Sequence, residues 1–278
     1  MPELPEVELV ARSLDRLVAG RRIVAARLLQ PDIAPETTPR AFARALRGQQ
    51  VDGVGRRGKL VVFAFAGGLC LLTHLRMTGR FLLLPPDAVA PKHTHAVFYL
   101  DDERRLVFND QRRFGRMRVV TAAELPHVRA LRVLAPEPLS AEFTPAYLRG
   151  VFARTRRTLK EVLLDQTKVT GLGNIYAAEV MFRAGLHPRA VAATLNARRL
   201  ARLHAAILAV LGESLAHGST MNVNPEDIDG SYYDGGYQGR WHVYDRAGEP
   251  CGRCATPIRR IVQAKRSTYF CPRCQRLR

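Results

Sequence analysis

The chain of 278 residues has little that would place it in or on a membrane. It contains no apolar run of 18 residues, no apolar stretch of the signal-peptide type at its N-terminus and no lipidation motif. It also has no strongly amphipathic basic helix of the kind that lies on anionic lipid. We therefore expect no membrane partner and a location in the cytosol.

Acidic residues are scarce relative to basic ones. Lys and Arg number 43 against 25 Asp and Glu, which gives a formal net charge of +18. The positive charges are spread along the chain, so they should form basic faces on a folded body. Nucleic acid is the natural partner for such a surface. Apolar residues make up 47% of the chain, which is ordinary for a protein that buries a core.

Cysteine is scarce as well, since there are only five and four of them lie in the last 28 residues. Cys70 stands alone in an apolar run and is predicted to be core. The other four form two Cys-x2-Cys pairs separated by sixteen residues: Cys251 with Cys254, and Cys271 with Cys274. In a reducing compartment this spacing predicts a tetrahedral Zn²⁺ site. Four thiolates leave no open coordination position, so we predict one structural zinc ion that folds this short region.

The hydrophobic pattern changes along the chain. Residues 4–18 have apolar side chains at three- and four-residue spacings, which is typical of an amphipathic helix. Short apolar runs separated by close turns follow, and these predict an antiparallel two-sheet β-sandwich. After a proline-containing linker at 132–145 the period becomes helical. We predict an α+β protein with an N-terminal β-sandwich with flanking helices (1–133), a helical domain with a long loop (134–240) and a zinc finger (241–278).

The N-terminus offers a candidate nucleophile. If Met1 is removed, Pro2 carries a free secondary amine beside Glu3, and Glu6 lies about one helical turn further on. An amine beside carboxylates suits Schiff-base chemistry. A proline at position 2 is nevertheless common, so the pattern alone does not establish this chemistry.

Three other motifs fit both a functional site and an ordinary turn. Residues 55–59 place three cations on a turn flanked by glycine, and residues 111–115 place arginines beside a phenylalanine. An aromatic side chain of this kind can wedge into a base stack. Residues 165–175 lead two glycines into a helix N-terminus, where backbone N–H groups can approach an anion.

Taken together, these motifs resemble the formamidopyrimidine-DNA glycosylase and endonuclease VIII family of DNA repair enzymes. The matching segments occur in family order and span essentially the whole chain. They are residues 2–8, 57–59, 74–79, 112–115, 165–166, 171–176, 183–188 and the four-cysteine segment that ends at 275.

The resemblance implies a helix-two-turn-helix in the helical domain and DNA in a cleft between the two halves. It also implies the catalytic residues. Pro2 would be the nucleophile that attacks C1′, and Glu3 the general acid and base at the sugar. Glu6 would help to position water or the amine, and Lys59 would contact the phosphate and assist the reaction.

Six further residues are expected to contact DNA by the same resemblance. Some would fill the gap left by a flipped base, and others would hold the phosphates that flank it. The expected residues are Met77, Arg112 and Phe114 for the gap, Asn174 and Arg266 for the phosphates, and His74 as an additional contact.

The function implied is a monomeric bifunctional glycosylase and lyase. It would remove oxidised purines (8-oxoguanine and formamidopyrimidines) from double-stranded DNA through a proline Schiff base and cleave the strand by β,δ-elimination. Two alternatives stay open. Residues 220–229 are acidic and lack Lys and Arg, unlike the family's purine branch, which leaves a preference for oxidised pyrimidines possible. The other alternative is a non-catalytic damage-binding protein.

Overall fold

The computed structural model describes residues 1–232 and 234–277. The chain divides into two compact units: Met1–Arg132 with Gly218–Gly236, and Val133–His217 with Tyr237–Arg278. The segment Gly218–Gly236 thus belongs by its contacts to the first unit. The sequence pattern predicted it to lie in the helical domain 134–240. The three-domain division stays a prediction. Among the described residues, no helix is both long and apolar enough to cross a membrane.

As the hydrophobic pattern predicts, the described residues begin with a helix, continue mainly as short strands and become mainly helical after the linker. The helices are α1 (Leu4–Val18), α2 (Pro39–Leu46), α3 (Arg129–Arg132), α4 (Pro145–Phe152), α5 (Leu159–Leu164), α6 (Asn174–Ala184) and α7 (Ala197–Ala216). The strands are β1 (Ile23–Leu28), β2 (Val51–Arg57), β3 (Leu60–Phe65), β4 (Leu69–His74), β5 (Gly79–Leu84), β6 (Thr94–Leu100), β7 (Arg105–Asp110), β8 (Arg116–Thr121), β9 (Arg259–Gln263) and β10 (Arg266–Phe270).

The first unit is a sandwich of two antiparallel four-stranded sheets. Their strand orders are β1-β6-β7-β5 and β2-β3-β4-β8. The inner faces share one apolar core. Phe63 of β3 meets Phe81 of β5 edge-on at 5.3 Å between ring centroids, and Phe81 meets Phe108 of β7 at the same distance. The predicted antiparallel sandwich is confirmed, and Cys70 is buried as expected.

Helix α1 lies on this core and fixes the position of the N-terminus. Its apolar stripe is buried in the sandwich core. Two side chains on its other positions bind β2: Asp15 Oδ1 accepts a hydrogen bond from Val54 N at 2.7 Å, and Glu8 Oε2 pairs with Arg56 Nε at 2.8 Å. The helix ends at Val18, where the apolar spacing in the sequence also ends. The first turn of α1 is therefore held beside the β2–β3 hairpin.

The second unit combines helices with the cysteine-bearing hairpin. Helix α6 packs against both α7 and β10. The Glu179 carboxylate is buried within this unit and accepts hydrogen bonds from the backbone N–H groups of His242, Val243 and Tyr244, at 2.8–3.0 Å. Three donors satisfy a buried charge that would otherwise be costly. Glu179 thus anchors the start of the finger region to helix α6.

Candidate active site and nucleic-acid interface

The N-terminal turn is buried and rigidly hydrogen-bonded. Pro2 is buried, and Glu3 and Glu6 are only 2% and 1% exposed. Glu3 and Glu6 form a capping box: Glu3 accepts from the backbone N–H of Glu6, and Glu6 Oε2 accepts from Glu3 N at 2.8 Å. A helix N-terminus also stabilises carboxylates electrostatically. The turn therefore presents an acid at a fixed place beside residue 2, whose nitrogen here forms the peptide bond to Met1.

The other oxygen of Glu6 holds the segment 218–236. Glu6 Oε1 accepts hydrogen bonds from Thr220 N at 3.1 Å and from Thr220 Oγ1 at 2.9 Å. The side chain of Met221 enters the sandwich core, and Pro225 O accepts from Leu83 N at 2.7 Å. Both oxygens of Glu6 thus face protein donors. Glu6 therefore ties the turn that carries the candidate nucleophile to the segment 218–236.

Lys59 and His74 lie at one end of the second sheet. Lys59 is 9% exposed in the tight β2–β3 turn, and the next residue, Leu60, pairs with His74 across the β3–β4 ladder. Burial, and secondarily the charges of Arg76 and Lys59, lowers the pKa of His74 to about 3. The ring is therefore neutral at pH 7. Its Nδ1 accepts from Arg76 N at 3.1 Å, so the proton resides on Nε2, which can donate to a phosphate.

Two turns carry the predicted gap-filling side chains. The β4–β5 turn bears half-buried Met77, and the β7–β8 turn bears exposed Arg112 and Phe114. Phe114 is 46% exposed, and the Arg112 guanidinium lies 4.8 Å from the centroid of its ring. An exposed aromatic ring stacked under a cation is suited to insertion between bases. Each turn also contains a non-glycine residue with positive φ, Arg76 at 58° and Arg113 at 55°.

In the second unit a glutamine builds the turn between α5 and α6. The Gln166 side chain donates to Leu164 O at 3.1 Å and to Leu172 O at 2.9 Å, and accepts from Gly171 N at 2.9 Å. Gly171 has φ of +87°, a conformation that favours glycine. This turn delivers Asn174 to the first position of α6, where the N-terminal N–H groups of a helix attract anions.

The same helix start is joined to the β9–β10 hairpin. Ser267 O accepts from Asn174 Nδ2 at 3.0 Å and from Lys160 Nζ at 2.9 Å. Lys160 is fully buried, and burial followed by the charge of Arg266 lowers its pKa to about 8. The carbonyl of Ser267, the residue after Arg266, thus accepts hydrogen bonds from two side chains. The structure brings Asn174 and Arg266, both predicted phosphate contacts, to one place within this unit.

The four cysteines of the finger are arranged as zinc ligands. Their Sγ atoms all lie within 4.8 Å of one another, and three of the separations are 3.5, 3.5 and 3.9 Å. A tetrahedron with Zn–S bonds of about 2.3 Å requires S···S separations of roughly 3.8 Å. Backbone N–H groups of Arg253 and Cys274 point at the sulfurs of Cys251 and Cys271, at 3.4 Å each. Cys251, Cys254, Cys271 and Cys274 fit one closed structural zinc site.

Three family models match the chain in series. The formamidopyrimidine-DNA glycosylase N-terminal domain matches residues 1–117, the formamidopyrimidine-DNA glycosylase H2TH domain matches 134–224, and the zinc finger found in FPG and IleRS matches 248–277. The chain belongs to the formamidopyrimidine-DNA glycosylase family. The helix-two-turn-helix and the structural zinc site expected from the sequence are confirmed.

Named relatives are similar to this family member over its full length. The formamidopyrimidine-DNA glycosylase of Desulforamulus reducens is 42% identical over 280 residues, which cover 99% of each chain. That of Lactiplantibacillus plantarum is 39% identical and covers 100% of both chains. A crystal structure of Lactococcus lactis FPG (MutM) in complex with DNA containing an oxidised pyrimidine is similar, with a TM-score of 0.91 and 31% identity over 99% of this chain and 100% of that one.

The sequence did not reveal the buried polar residues that position the site. Thr220, Glu179 and Lys160 have no recognisable motif around them, because each works through a partner far away in the chain. Lys160 offered one signal in retrospect. It is a lysine within the otherwise apolar face of the short helix α5, where it could only be buried with a polar partner.

Proposed function

We propose that this protein is a bifunctional DNA glycosylase and abasic-site lyase that removes oxidised purines, 8-oxoguanine and formamidopyrimidines, from double-stranded DNA. The observation that carries the proposal is the N-terminal turn. There Pro2 is buried beside Glu3, and the capping box with Glu6 fixes that carboxylate. Relatives of the same length, 39–42% identical, have the name formamidopyrimidine-DNA glycosylase.

The first step requires that Met1 be removed, because the peptide bond to Met1 occupies the nitrogen of Pro2. The freed secondary amine then attacks C1′ of the damaged nucleotide. The N–C1′ bond forms, the glycosidic bond breaks, and the base leaves with the bonding electron pair and takes up a proton. Opening of the sugar ring, with Glu3 moving the proton at the ring oxygen, leaves an iminium between Pro2 and C1′.

The second step breaks the strand. The iminium accepts electrons, so a proton at C2′ becomes acidic. Its removal drives β-elimination, in which the C3′–O bond breaks and the 3′ phosphate leaves. A second elimination releases the 5′ phosphate. Lys59, with the Nε2–H of His74 close by, supplies positive charge and a hydrogen-bond donor for the phosphates.

The interface must also flip the damaged nucleotide out of the duplex, which costs roughly a few kcal/mol. Met77, Arg112 and Phe114 recover part of this stacking energy by filling the gap. Asn174 and Arg266 hold phosphates next to the lesion. Zinc takes no part in the chemistry, because four thiolates fill its coordination shell. Its role is to fold the hairpin that carries Arg266.

A set of duplexes, each with one oxidised base, tests the substrate class. We expect single-turnover excision of 8-oxoguanine and formamidopyrimidine to be faster than excision of oxidised pyrimidines. The reverse order would favour the alternative raised by the acidic segment 220–229. That alternative has support from a relative, since the Lactococcus lactis protein was crystallised with an oxidised pyrimidine in its DNA. We further propose that the protein acts as a monomer in the cytosol, where its zinc thiolates stay reduced.

A further inference from the structure

Asp110 is a buried carboxylate that the proposed chemistry does not use. It ends strand β7 and is 0% exposed. Its Oδ1 accepts hydrogen bonds from the hydroxyl of Thr78 and from Arg112 N, the latter at 3.2 Å. Its Oδ2 accepts from Gly115 N at 2.7 Å. A charge this deeply buried persists only when donors surround it, and Asp110 has three.

These donors come from two different turns. Thr78 belongs to the β4–β5 turn with Met77, whereas Arg112 and Gly115 begin and end the segment of the β7–β8 turn that carries Phe114. The Thr78 hydroxyl also accepts from Arg112 N at 3.1 Å. The hydroxyl of Thr78, the carboxylate of Asp110 and the backbone N–H of Arg112 therefore form a three-way hydrogen-bonded junction that joins the two turns.

Close packing against the Phe108 ring also restricts the backbone of both turns. A Cβ atom on Gly79 would lie 2.4 Å from Leu75 O and 2.8 Å from the ring of Phe108. A Cβ atom on Gly115 would lie 2.6 Å from the same ring. Both turns also contain an arginine with positive φ, which persists only where the surroundings fix it. The Phe108 ring thus packs against the backbone of both turns, and the Asp110 carboxylate accepts hydrogen bonds from both.

We propose that Asp110 and Thr78 are positioning residues, which hold the two turns in one geometry so that Met77, Arg112 and Phe114 enter the duplex together. This role rests on the glycosylase function proposed above. Insertion of separate, mobile side chains would lose conformational entropy on binding, whereas a prearranged set has lost it on folding. The existing stack of Arg112 on Phe114 fits such prearrangement.

The substitution Thr78→Val breaks the junction with little change of shape, and Thr78→Ser is the matched control because it keeps the hydroxyl. Asp110→Asn is the second variant. Whichever way its amide is turned, an NH2 group replaces one acceptor and faces the backbone N–H of either Arg112 or Gly115. It therefore weakens one turn without removing the side chain.

Two readouts separate positioning from simple stability. The first is single-turnover excision of 8-oxoguanine from a duplex. The second is the fluorescence of 2-aminopurine placed opposite a tetrahydrofuran abasic analogue, measured with saturating protein, which reports insertion into the gap. For Thr78→Val and Asp110→Asn we expect excision to fall about tenfold, the loss of one hydrogen bond to a charged group, with a parallel fall in fluorescence amplitude. Thr78→Ser should match the parent protein in both.

Equal behaviour of Thr78→Val and Thr78→Ser would overturn the proposal. So would slower excision at full fluorescence amplitude, because the gap would then be filled normally. If the parent protein failed to excise any base, the glycosylase function would be wrong. The fluorescence comparison would still test the junction, because the tetrahydrofuran analogue binds without reacting.

Discussion

The hydrogen bond from Thr220 to Glu6 predicts a measurable loss when the hydroxyl is removed. Both residues are buried, at 7% and 1% exposure, and the Thr220 Oγ1 to Glu6 Oε1 distance is 2.9 Å. A hydrogen bond to a charged group contributes about 1.5–3 kcal/mol. Thr220→Val keeps the shape and leaves the backbone bond from residue 220, so its free energy of unfolding should fall by that amount. For a unit of this size the midpoint of thermal unfolding should drop by about 3–12 °C.

Differential scanning calorimetry of Thr220→Val beside Thr220→Ser measures this loss, since serine retains the donor. Excision should slow in the valine variant as well, because Glu6 also accepts the hydrogen bond from Glu3 N that fixes the capping box. Agreement of the two variants to within about 0.5 kcal/mol, the scatter of a neutral substitution, would refute the assigned role of this bond.

Three further predictions concern the nucleophile, the metal and a histidine. Pro2→Gly should slow base excision by at least roughly a hundredfold in a single-turnover assay while DNA affinity in a gel-shift titration changes far less; equal loss of both would make the terminus structural. Cys254→Ala should lose zinc in a colorimetric metal assay and weaken DNA binding more than about tenfold, because a structural zinc contributes about 10–16 kcal/mol to folding; undiminished affinity without zinc would exclude the finger from binding. The pKa of His74 is lowered to about 3 in the folded chain, against 6.5 in the unfolded chain. As pH falls, the unfolded chain therefore takes up the proton at a higher pH than the folded chain does. Stability contributed by neutral His74 should therefore be complete above pH 6.5 and decrease from there towards pH 3, and His74→Gln should show a flatter profile in urea unfolding across this range.

Local patterns in the sequence were sufficient to predict most elements of the fold. Apolar side chains at helical spacing predicted α1, and the structure has that helix at Leu4–Val18. One of the close turns predicted between the short apolar runs joins β6 and β7, where Glu103 has φ of 68°. The strand order β1-β6-β7-β5 was beyond reach, because apolar alternation shows which face of a strand is buried and not which strand lies beside it.

The sequence predicted those parts of the candidate site that depend on local spacing, and it did not predict those that depend on partners far away in the chain. The cysteine spacing carries its chemistry in the sequence, so the zinc site needed no structure. Glu6 was predicted to position water or the amine, and that role stays a prediction. The structure adds that its oxygens bind Glu3 and Thr220, a partner 214 residues away. Asp110 had no signal at all, since its three donors are gathered by the two turns and not by sequence proximity.

The central claim is that the nitrogen of Pro2, once Met1 is removed, forms a covalent bond to C1′. Borohydride reduction in the presence of duplex DNA with an abasic site, followed by mass spectrometry of the N-terminal peptide, measures this directly. The account predicts a stable protein–DNA adduct whose linkage maps to Pro2, from a chain shown to lack Met1. Absence of an adduct from such a chain, or an adduct at a lysine, would contradict it.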